Sequence, residues 1–548
     1  MIAATHQTPL QVISAYPQHQ WTLHSLLKTR LAPNPLRPFI LFNDKTLSWQ
    51  DFVDSVDVGA RMLLARGIAK GDRVAIMANN HDAHVLLLFA LARIGAIMVP
   101  VNPQFGVTEA RYVLMHAQVN AVFCSSATQA IAVQAAADMA LQPWFCRIDD
   151  ETPDAPGDRL SQLMAAQHAV ELPPDAAADD TCIIIYSSGT TGFPKGVMHS
   201  QRNIVLCAER QVARVHLQVN DRCMCVLPMF HVNALFYSVA GAVAAGCCLV
   251  IVTRFSASRF WRMVVDSGTT QVNLLMAMST ILARRPRSEF IAQARLRCVS
   301  GSPFTRETMD VFLNEFGIER VIEGFGMTEV PGAFSNPYDG PHKLASMGTP
   351  GTHPDARMQW TQARVVDDDG ADVPDGVTGE LLMRIPTMMQ GYLHDPEQTA
   401  AAFRDGWFLT GDLVYRDADN FFFFVARKKD IIRRRGENIA GAELDRVIGE
   451  HPQVSEVAAI AVPAELGEDD IMVVVVRKPG ASLVENDIRS WCADRLAAHK
   501  VPRFVVFTDA LPHTPTHKIA KFELRSDLSL RARAIDFQDA PADPSHKP

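Results

Sequence analysis

Short apolar runs rich in β-branched residues alternate with helix-like stretches through the first part of the chain: Arg73 to Met77, Ala83 to Ile94, Ile97 to Val101, Ala121 to Cys124 and Ile183 to Tyr186. Strands buried on both faces read as continuous apolar runs, so this rhythm predicts parallel sheet covered by helices. From Cys223 to Thr253 the chain contains no Asp, Glu, Lys or Arg. Pro228, His231, Asn233, Gly241 and Gly246 divide that stretch into a strand near Cys225 to Leu227, a loop, a helix of about 12 residues and a second strand from Cys248 to Val252. Each piece is shorter than the roughly 20 apolar residues that span a bilayer, so a buried strand, helix and strand is expected and no transmembrane segment. Residues 151–180, with Pro153, Pro156, Pro173 and Pro174, read as a surface connection.

After about residue 350 the pattern changes. Arg364 to Asp367, Gly379 to Arg384 and Phe421 to Val425, separated by turn signals such as Asp368-Asp369-Gly370, predict antiparallel hairpins. Beyond Asp430, a unit of roughly 95 residues alternates helix (Ala442 to Glu450, Val484 to Ala497) with strand (Val454 to Val462, Met472 to Val476). The natural cut lies near Lys429, dividing 1–428 from 429–525, and a Pro/Ala/Asp-rich tail, 526–548, is expected to be disordered. There is no internal repeat.

Composition narrows the class. With 548 residues, 48% hydrophobic, the chain can bury more than one core. Its 60 acidic and 52 basic residues are mixed along the sequence for a net charge of -8, which leaves no footprint for nucleic acid. The ten cysteines sit in apolar contexts such as Cys223-Met224-Cys225 and Cys247-Cys248, without a CxxC pair. They read as reduced thiols of a cytoplasmic protein rather than a zinc site or disulfide framework. Met1 to His24 lacks the basic and apolar blocks of a secretion signal.

The densest chemical signal is Tyr186-Ser187-Ser188-Gly189-Thr190-Thr191-Gly192-Phe193-Pro194-Lys195-Gly196, directly after the strand at Ile183 to Ile185. Backbone N–H groups, four hydroxyls and the Lys195 ammonium suit a polyphosphate. The loop is not a Walker A motif, because Lys195 follows Pro194 and precedes Gly196 rather than opening a helix as Gly-Lys-Ser/Thr.

This run closely resembles the phosphate loop of the adenylate-forming superfamily, which contains acyl-CoA synthetases, luciferases and peptide-synthetase adenylation domains. The resemblance extends over about residues 20–525, beginning with scaffold blocks such as Gly71-Asp72-Arg73-Val74-Ala75-Ile76. It implies an α/β fold: a large N-terminal domain of helix-covered sheets with a small β-barrel-like part, and a small mobile α+β C-terminal domain. Gly324-Phe325-Gly326-Met327-Thr328-Glu329 resembles the block whose aromatic residue lies on adenine, whose Thr meets the α-phosphate and whose Glu holds Mg²⁺. By itself that hexapeptide has a second, lesser reading as a strand-end loop with a capping Thr. Asp412, in Gly406-Trp407-Phe408-Leu409-Thr410-Gly411-Asp412, and Arg427 resemble the ribose clamp, a carboxylate being the expected acceptor for a vicinal diol. Gly301-Ser302-Pro303 resembles the segment lining the adenine and acyl pockets. Lys429 falls at the family's hinge, Arg435, Gly436 and Glu437 in its CoA-contacting loop, and Lys518 at its catalytic lysine. Without the resemblance, the basic run Arg427 to Arg434 would be a solvated face. Two departures stand out. His517 replaces the usual Gly before the lysine, and Gly441-Ala442 stands where a Pro is common.

By position, the acyl pocket is implied to be lined by Phe230, His231 and Asn233, by Asn273 to Met278 including Met276 and Met278, and by Gly301 to Phe304. His231 reads as a gate, a polar contact or a hydrogen-bonded core histidine. His231 after Pro228-Met229-Phe230, the Phe255 to Trp261 stretch and Phe421 to Val425 resemble the crotonobetaine/carnitine–CoA ligase branch, although these segments carry no fixed anion for a trimethylammonium group. The implied reaction joins a small carboxylic acid to ATP as acyl-AMP with release of pyrophosphate, then passes the acyl group to coenzyme A, with Mg²⁺ as cofactor. Delivery to a carrier protein or to oxygen, or a silent nucleotide sensor, are the alternatives. The oligomeric state is left open, a homodimer among the choices.

Overall fold

The computed structural model describes residues 6–32, 34–151, 157–187, 194–434, 437–464, 469–513 and 519–537. Two large sheets form the N-terminal unit. The first has eight strands in the order Gly391–Tyr392, Lys195–Ser200, Thr181–Ser187, Ile97–Val101, Arg73–Met77, Ala121–Cys124, Trp144–Arg147 and Asp158–Arg159. Its interior is parallel, as the continuous apolar runs predict, and helices such as Asp82–Ile94 connect the strands. Its edge is antiparallel, because only residues 188–194 separate Thr181–Ser187 from Lys195–Ser200, too few for a parallel crossover.

The second sheet has nine strands, in the order Thr349–Pro350, Phe334–Ser335, Arg320–Phe325, Cys298–Ser302, Gln271–Leu275, Arg222–Cys225, Cys248–Ile251, Pro38–Phe42 and Lys45–Ser48. The uncharged stretch supplies two of these strands, linked by a buried helix that runs as a π-helix over Asn233–Val239 and as an α-helix over Ala240–Ala245. Among the described residues no helix is long and apolar enough to cross a membrane. Helix Gln201–Val215 packs on that buried helix and carries an unusual load of interior polar groups, including Glu209 and Arg210. All ten cysteines are free and buried, and burial pushes a thiol such as that of Cys182 up to about 12. Among the described residues of 151–180 the chain forms the short strand Asp158–Arg159 and the short helix Leu160–Ala165.

The hairpins after residue 350 form a five-stranded antiparallel sheet of Gln362–Val366, Gly379–Arg384, Trp407–Arg416, Phe403–Arg404 and Phe422–Arg427. The C-terminal unit begins with the ribbon Ile431–Arg434 and Glu437–Ala440. Helices Gly441–Gly449 and Glu485–Ala493 follow, with a sheet built on Val454–Pro463, Asp469–Arg477 and Phe504–Phe507 around buried Leu444, Ile471 and Val505. One expectation is corrected here. Residues 528–536, placed in the disordered tail, form helix Leu528–Arg533 and strand Ile535–Asp536, which pairs with Phe504–Phe507. Leu530 is buried, Arg531 donates to the Pro463 carbonyl at 2.8 Å, and the Pro- and Asp-rich composition that suggested disorder begins only beyond this anchor. Residues 538–548 lie outside the described residues.

Candidate active site

The strand Thr181–Ser187 ends at Ser187, and Lys195 opens the returning strand as its cross-strand partner. Ser188, Gly189, Thr190, Thr191 and Gly192 lie outside the described residues. The hairpin holds Lys195 at the mouth of the loop, where its ammonium stands 4.8 Å from the centroid of the Tyr392 ring. The Tyr392 hydroxyl donates to Glu329 Oε1 at 3.1 Å. Burial, and the neighbouring Glu329 carboxylate, push the Tyr392 phenol above its ordinary value, so it remains a donor. Lys195 and Glu329, distant in sequence, therefore meet through one tyrosine that sequence reasoning missed. Tyr392 is positioned by the short edge strand Gly391–Tyr392, which pairs with Val197 and Met198.

Glu329 is nearly buried, at 8% exposed, while Phe325, Met327 and Thr328 are half-buried and Gly326 is exposed. The Glu329 carbonyl accepts from the Met389 N–H at 2.8 Å. His199 fixes the other side of this segment. Its Nδ1 accepts from Asn203 Nδ2 at 3.1 Å, which leaves Nε2–H to donate to the Thr328 carbonyl at 2.7 Å. Full burial pushes this imidazole down to about 4, so it is neutral near pH 7. His199, near the end of the strand Lys195–Ser200, and Asn203, in the first turn of the helix Gln201–Val215, are further residues that the motifs did not disclose.

Gly324 is the penultimate residue of the strand Arg320–Phe325, and a Cβ there would stand 2.7 Å from both the Phe334 carbonyl oxygen and the Arg214 guanidinium, so only glycine fits. Gly301 is equally constrained, since a Cβ would lie 2.3 Å from the Leu274 carbonyl oxygen. Gly301 pairs with Glu323, and the buried Glu323 carboxyl accepts from the Phe304 N–H at 2.9 Å. Burial raises Glu323 to about 7. This side chain ties the Gly301 to Phe304 segment to the Gly324 to Glu329 block. Pro303 is exposed, and the Ser302 side chain lies outside the described residues.

Asp412 and Arg427 are cross-strand partners on Trp407–Arg416 and Phe422–Arg427, which explains their spacing in sequence. Arg427 Nε meets Asp412 Oδ1 at 2.7 Å, with the carboxylate fully buried and the arginine partly exposed. The hairpin is seated against the Gly324 to Glu329 block through Phe422 and Phe334, whose ring centroids are 4.8 Å apart, Phe334 being the cross-strand partner of Phe325.

Phe230 and His231 pack ring to ring at 4.3 Å, and Asn233 opens the π-helix, a distortion found often at functional sites. Met276 is 46% exposed and Met278 half-buried. Asn273, expected among the lining residues, is instead buried: it donates to Ser238 Oγ at 3.0 Å and accepts from Gln271 and Ser300. Lys518, Arg435 and Gly436 lie outside the described residues, as do the side chains of Lys429 and Glu437. The Lys429 backbone lies in the turn Lys428–Asp430, and Asp430 is held by Arg525 at 2.6 Å. Among the described residues no cluster of three or more His, Cys, Asp or Glu side chains suits a metal ion.

A phosphate-loop hairpin beside a buried carboxylate, with an acid–arginine pair on the adjoining sheet, defines a nucleotide-dependent adenylating enzyme. The sequence belongs to the AMP-binding enzyme family, whose profile matches residues 27–393, and the AMP-binding enzyme C-terminal domain matches residues 443–518. It is 33% identical over 509 residues to the sulfoacetate–CoA ligase of Cupriavidus necator, covering 92% of this chain and 97% of that protein. It is 30% identical over 498 residues to the crotonobetaine/carnitine–CoA ligase of Salmonella typhi, covering 88% and 93%. Among solved structures, ATP-bound MatB from Rhodopseudomonas palustris superposes with a TM-score of 0.81 at 26% identity, covering 92% of this chain and 98% of that one. The chain is an ATP-dependent, AMP-forming acyl-CoA synthetase: it converts a carboxylic acid to its acyl-adenylate and then to the acyl-CoA thioester.

Proposed function

We propose that the described cluster performs the first half-reaction by placing ATP and the acid carboxylate in line, with no covalent intermediate on the protein. A carboxylate is a poor acyl donor, so its oxygen attacks the α-phosphorus and pyrophosphate leaves. Catalysis then consists of positioning and charge neutralisation. The observation that carries this reading is the Lys195–Tyr392–Glu329 chain, which holds a cation for the leaving phosphates beside a carboxylate with one oxygen engaged by Tyr392. A single carboxylate fits Mg²⁺, which takes one or two protein carboxylates plus phosphate oxygens. When bound, Mg²⁺ supplies charge neutralisation between the phosphates. Thr328, steadied through its carbonyl by His199, offers its hydroxyl to the α-phosphate. Phe325 gives the adenine a flat face, and Asp412 with Arg427 orients the ribose hydroxyls.

Lys518 is assigned to the attacked phosphate and the acid carboxylate, Lys429 to the pivot of the C-terminal unit, and the Arg435 to Glu437 loop to CoA in the second half-reaction. A cytoplasmic location and a small polar acid substrate complete the reading. The relatives' named acids differ in the charge at their far end, anionic in sulfoacetate and cationic in carnitine, so substrate choice rests on this chain's own pocket. The test separates the half-reactions. Lys518→Ala is expected to abolish acid-dependent pyrophosphate release yet retain thioester formation from supplied acyl-adenylate, and equal loss of both would refute the assignment.

A further inference from the structure

Helix Gln201–Val215 places Arg210 and Arg214 one turn apart on the same face, in the interior beside the nucleotide block. Arg214 lies against Gly324, and its guanidinium stands 5.8 Å from the centroid of the Tyr237 ring. Arg210 runs beside Gly332 and Gly351 and donates to Ser335 Oγ at 2.6 Å. Tyr237 belongs to the same π-helix as Asn233. Its hydroxyl accepts from the Gly332 N–H at 2.7 Å and would stand 3.0 Å from a Cβ at Gly326. Two guanidinium groups and a phenol hydroxyl thus converge where the strand Arg320–Phe325 runs out into the nucleotide block.

These cations have no counter-charge among the described residues. Among the described residues neither arginine forms an ion pair, and the groups that act electrostatically on them are each other, Tyr237 and the thiols of Cys207 and Cys298. Arg214 makes no side-chain hydrogen bond among the described residues, and its Nε is buried without a partner. Glu209, adjacent to Arg210 in sequence, is committed elsewhere. Its two oxygens are held by His19 Nε2 at 2.9 Å and His353 Nε2 at 3.1 Å. Burial pushes Arg210 down only to about 10, so it is cationic near neutral pH. Like charges one turn apart repel, and an unpaired charge in the interior is costly. Yet Arg214 is half-buried and keeps some accessible surface. Such an arrangement persists when a ligand brings the missing anion.

We propose that Arg210, Arg214 and the Tyr237 hydroxyl form the far wall of the acyl pocket and bind a second oxyanion, carboxylate or sulfonate, at the end of the acid opposite the carboxyl that is adenylated. This rests on the assignment of Phe230, His231, Asn233 and the Gly301 to Phe304 segment to the acyl pocket. Two guanidinium groups offer several N–H donors to either oxyanion, and the tyrosine adds an O–H. An acid ending in a methyl group leaves both cations unpaired, and one ending in a quaternary ammonium is repelled.

The test is acid-dependent AMP release by the full chain with ATP, Mg²⁺ and CoA, comparing malonate, succinate and sulfoacetate with propionate, butyrate and a trimethylammonium acid of matched length. In the wild type, kcat/KM for at least one doubly anionic acid is expected to exceed that of its uncharged match by about a hundredfold or more. The carboxylate and sulfonate arms show which oxyanion is preferred. Arg214→Leu is expected to bring the ratio to near unity, and Arg214→Lys to preserve most of it. A wild type that uses the uncharged acids as well as the doubly anionic ones overturns the proposal without recourse to any variant. So does a folded Arg214→Leu, judged by ATP-induced thermal stabilisation, that loses all acids in parallel. No AMP from any acid would overturn the acid-activating reading as well, so the two failures are distinguishable.

Discussion

Two arginine-bearing sites in this fold are built on opposite electrostatic terms. Arg427 meets its carboxylate, Asp412, across a hairpin at 2.7 Å, and the pair is complete within the protein. Arg210 and Arg214 meet no carboxylate among the described residues. A neutralised pair can present fixed hydrogen-bonding groups to a neutral diol such as ribose, and so serves a ligand common to every turnover. An uncompensated pair is a demand for charge, and so discriminates among ligands. On the reading proposed above, the nucleotide side of the site is set for one partner, while the acyl side selects by what it lacks.

The largest way to break this contrast is Asp412→Ala. It removes the ribose acceptor and leaves Arg427 unpaired, and kcat/KM for ATP in pyrophosphate exchange is expected to fall by about a thousandfold, with all acids affected alike. A loss that depended on the acid would contradict the division of labour. Next is the selectivity collapse in Arg214→Leu, about a hundredfold in the ratio between acids and small in the KM for ATP. A smaller effect is expected for Tyr392→Phe, which deletes one hydrogen bond to Glu329. Adenylation should fall by about tenfold, with a higher Mg²⁺ concentration needed for half-maximal rate. If Glu329 has no part in holding Mg²⁺, the Mg²⁺ dependence will not move.

The smallest effect concerns stability. His199 is held near pKa 4, below its ordinary 6.5, so between these values the unfolded chain binds a proton that the folded chain refuses. Its contribution is present above about pH 6.5 and is lost as pH falls toward 4, on the order of 3 kcal/mol at most. His84, buried and pushed down to about 3, adds in the same direction. Thermal melts from pH 7 to pH 4.5 should show a falling Tm, with a shallower slope in His199→Asn. An unchanged slope would remove His199 from this role.

Legibility followed the range of the interactions. Gly189 to Lys195 and Gly324 to Glu329 could be singled out because each is a contiguous run, and a loop suited to phosphate offers successive backbone groups in one stretch of sequence. The parallel strands were readable because burial on both faces removes polar alternation. Tyr392, His199 and Glu323 were not readable. Each is a single side chain on a short strand or strand end, meaningful only through a partner from a distant segment. The start of the tail was misjudged for a related reason, since the Pro- and Asp-rich composition further on hid the Leu530 anchor.

By itself the sequence determined the alternation of strands and helices and the place of the Gly/Ser/Thr-rich loop between two strands. Local hydrogen bonding and burial dictate those patterns residue by residue. Only the tertiary structure decided that Lys195 and Glu329 share Tyr392, that Glu209 is spent on His19 and His353, and that Arg210 and Arg214 are left without an anion. In a sequence, every charge has many candidate partners. Packing makes a few of those pairings and forbids the rest, and a charge left over becomes visible only once the others have been paired.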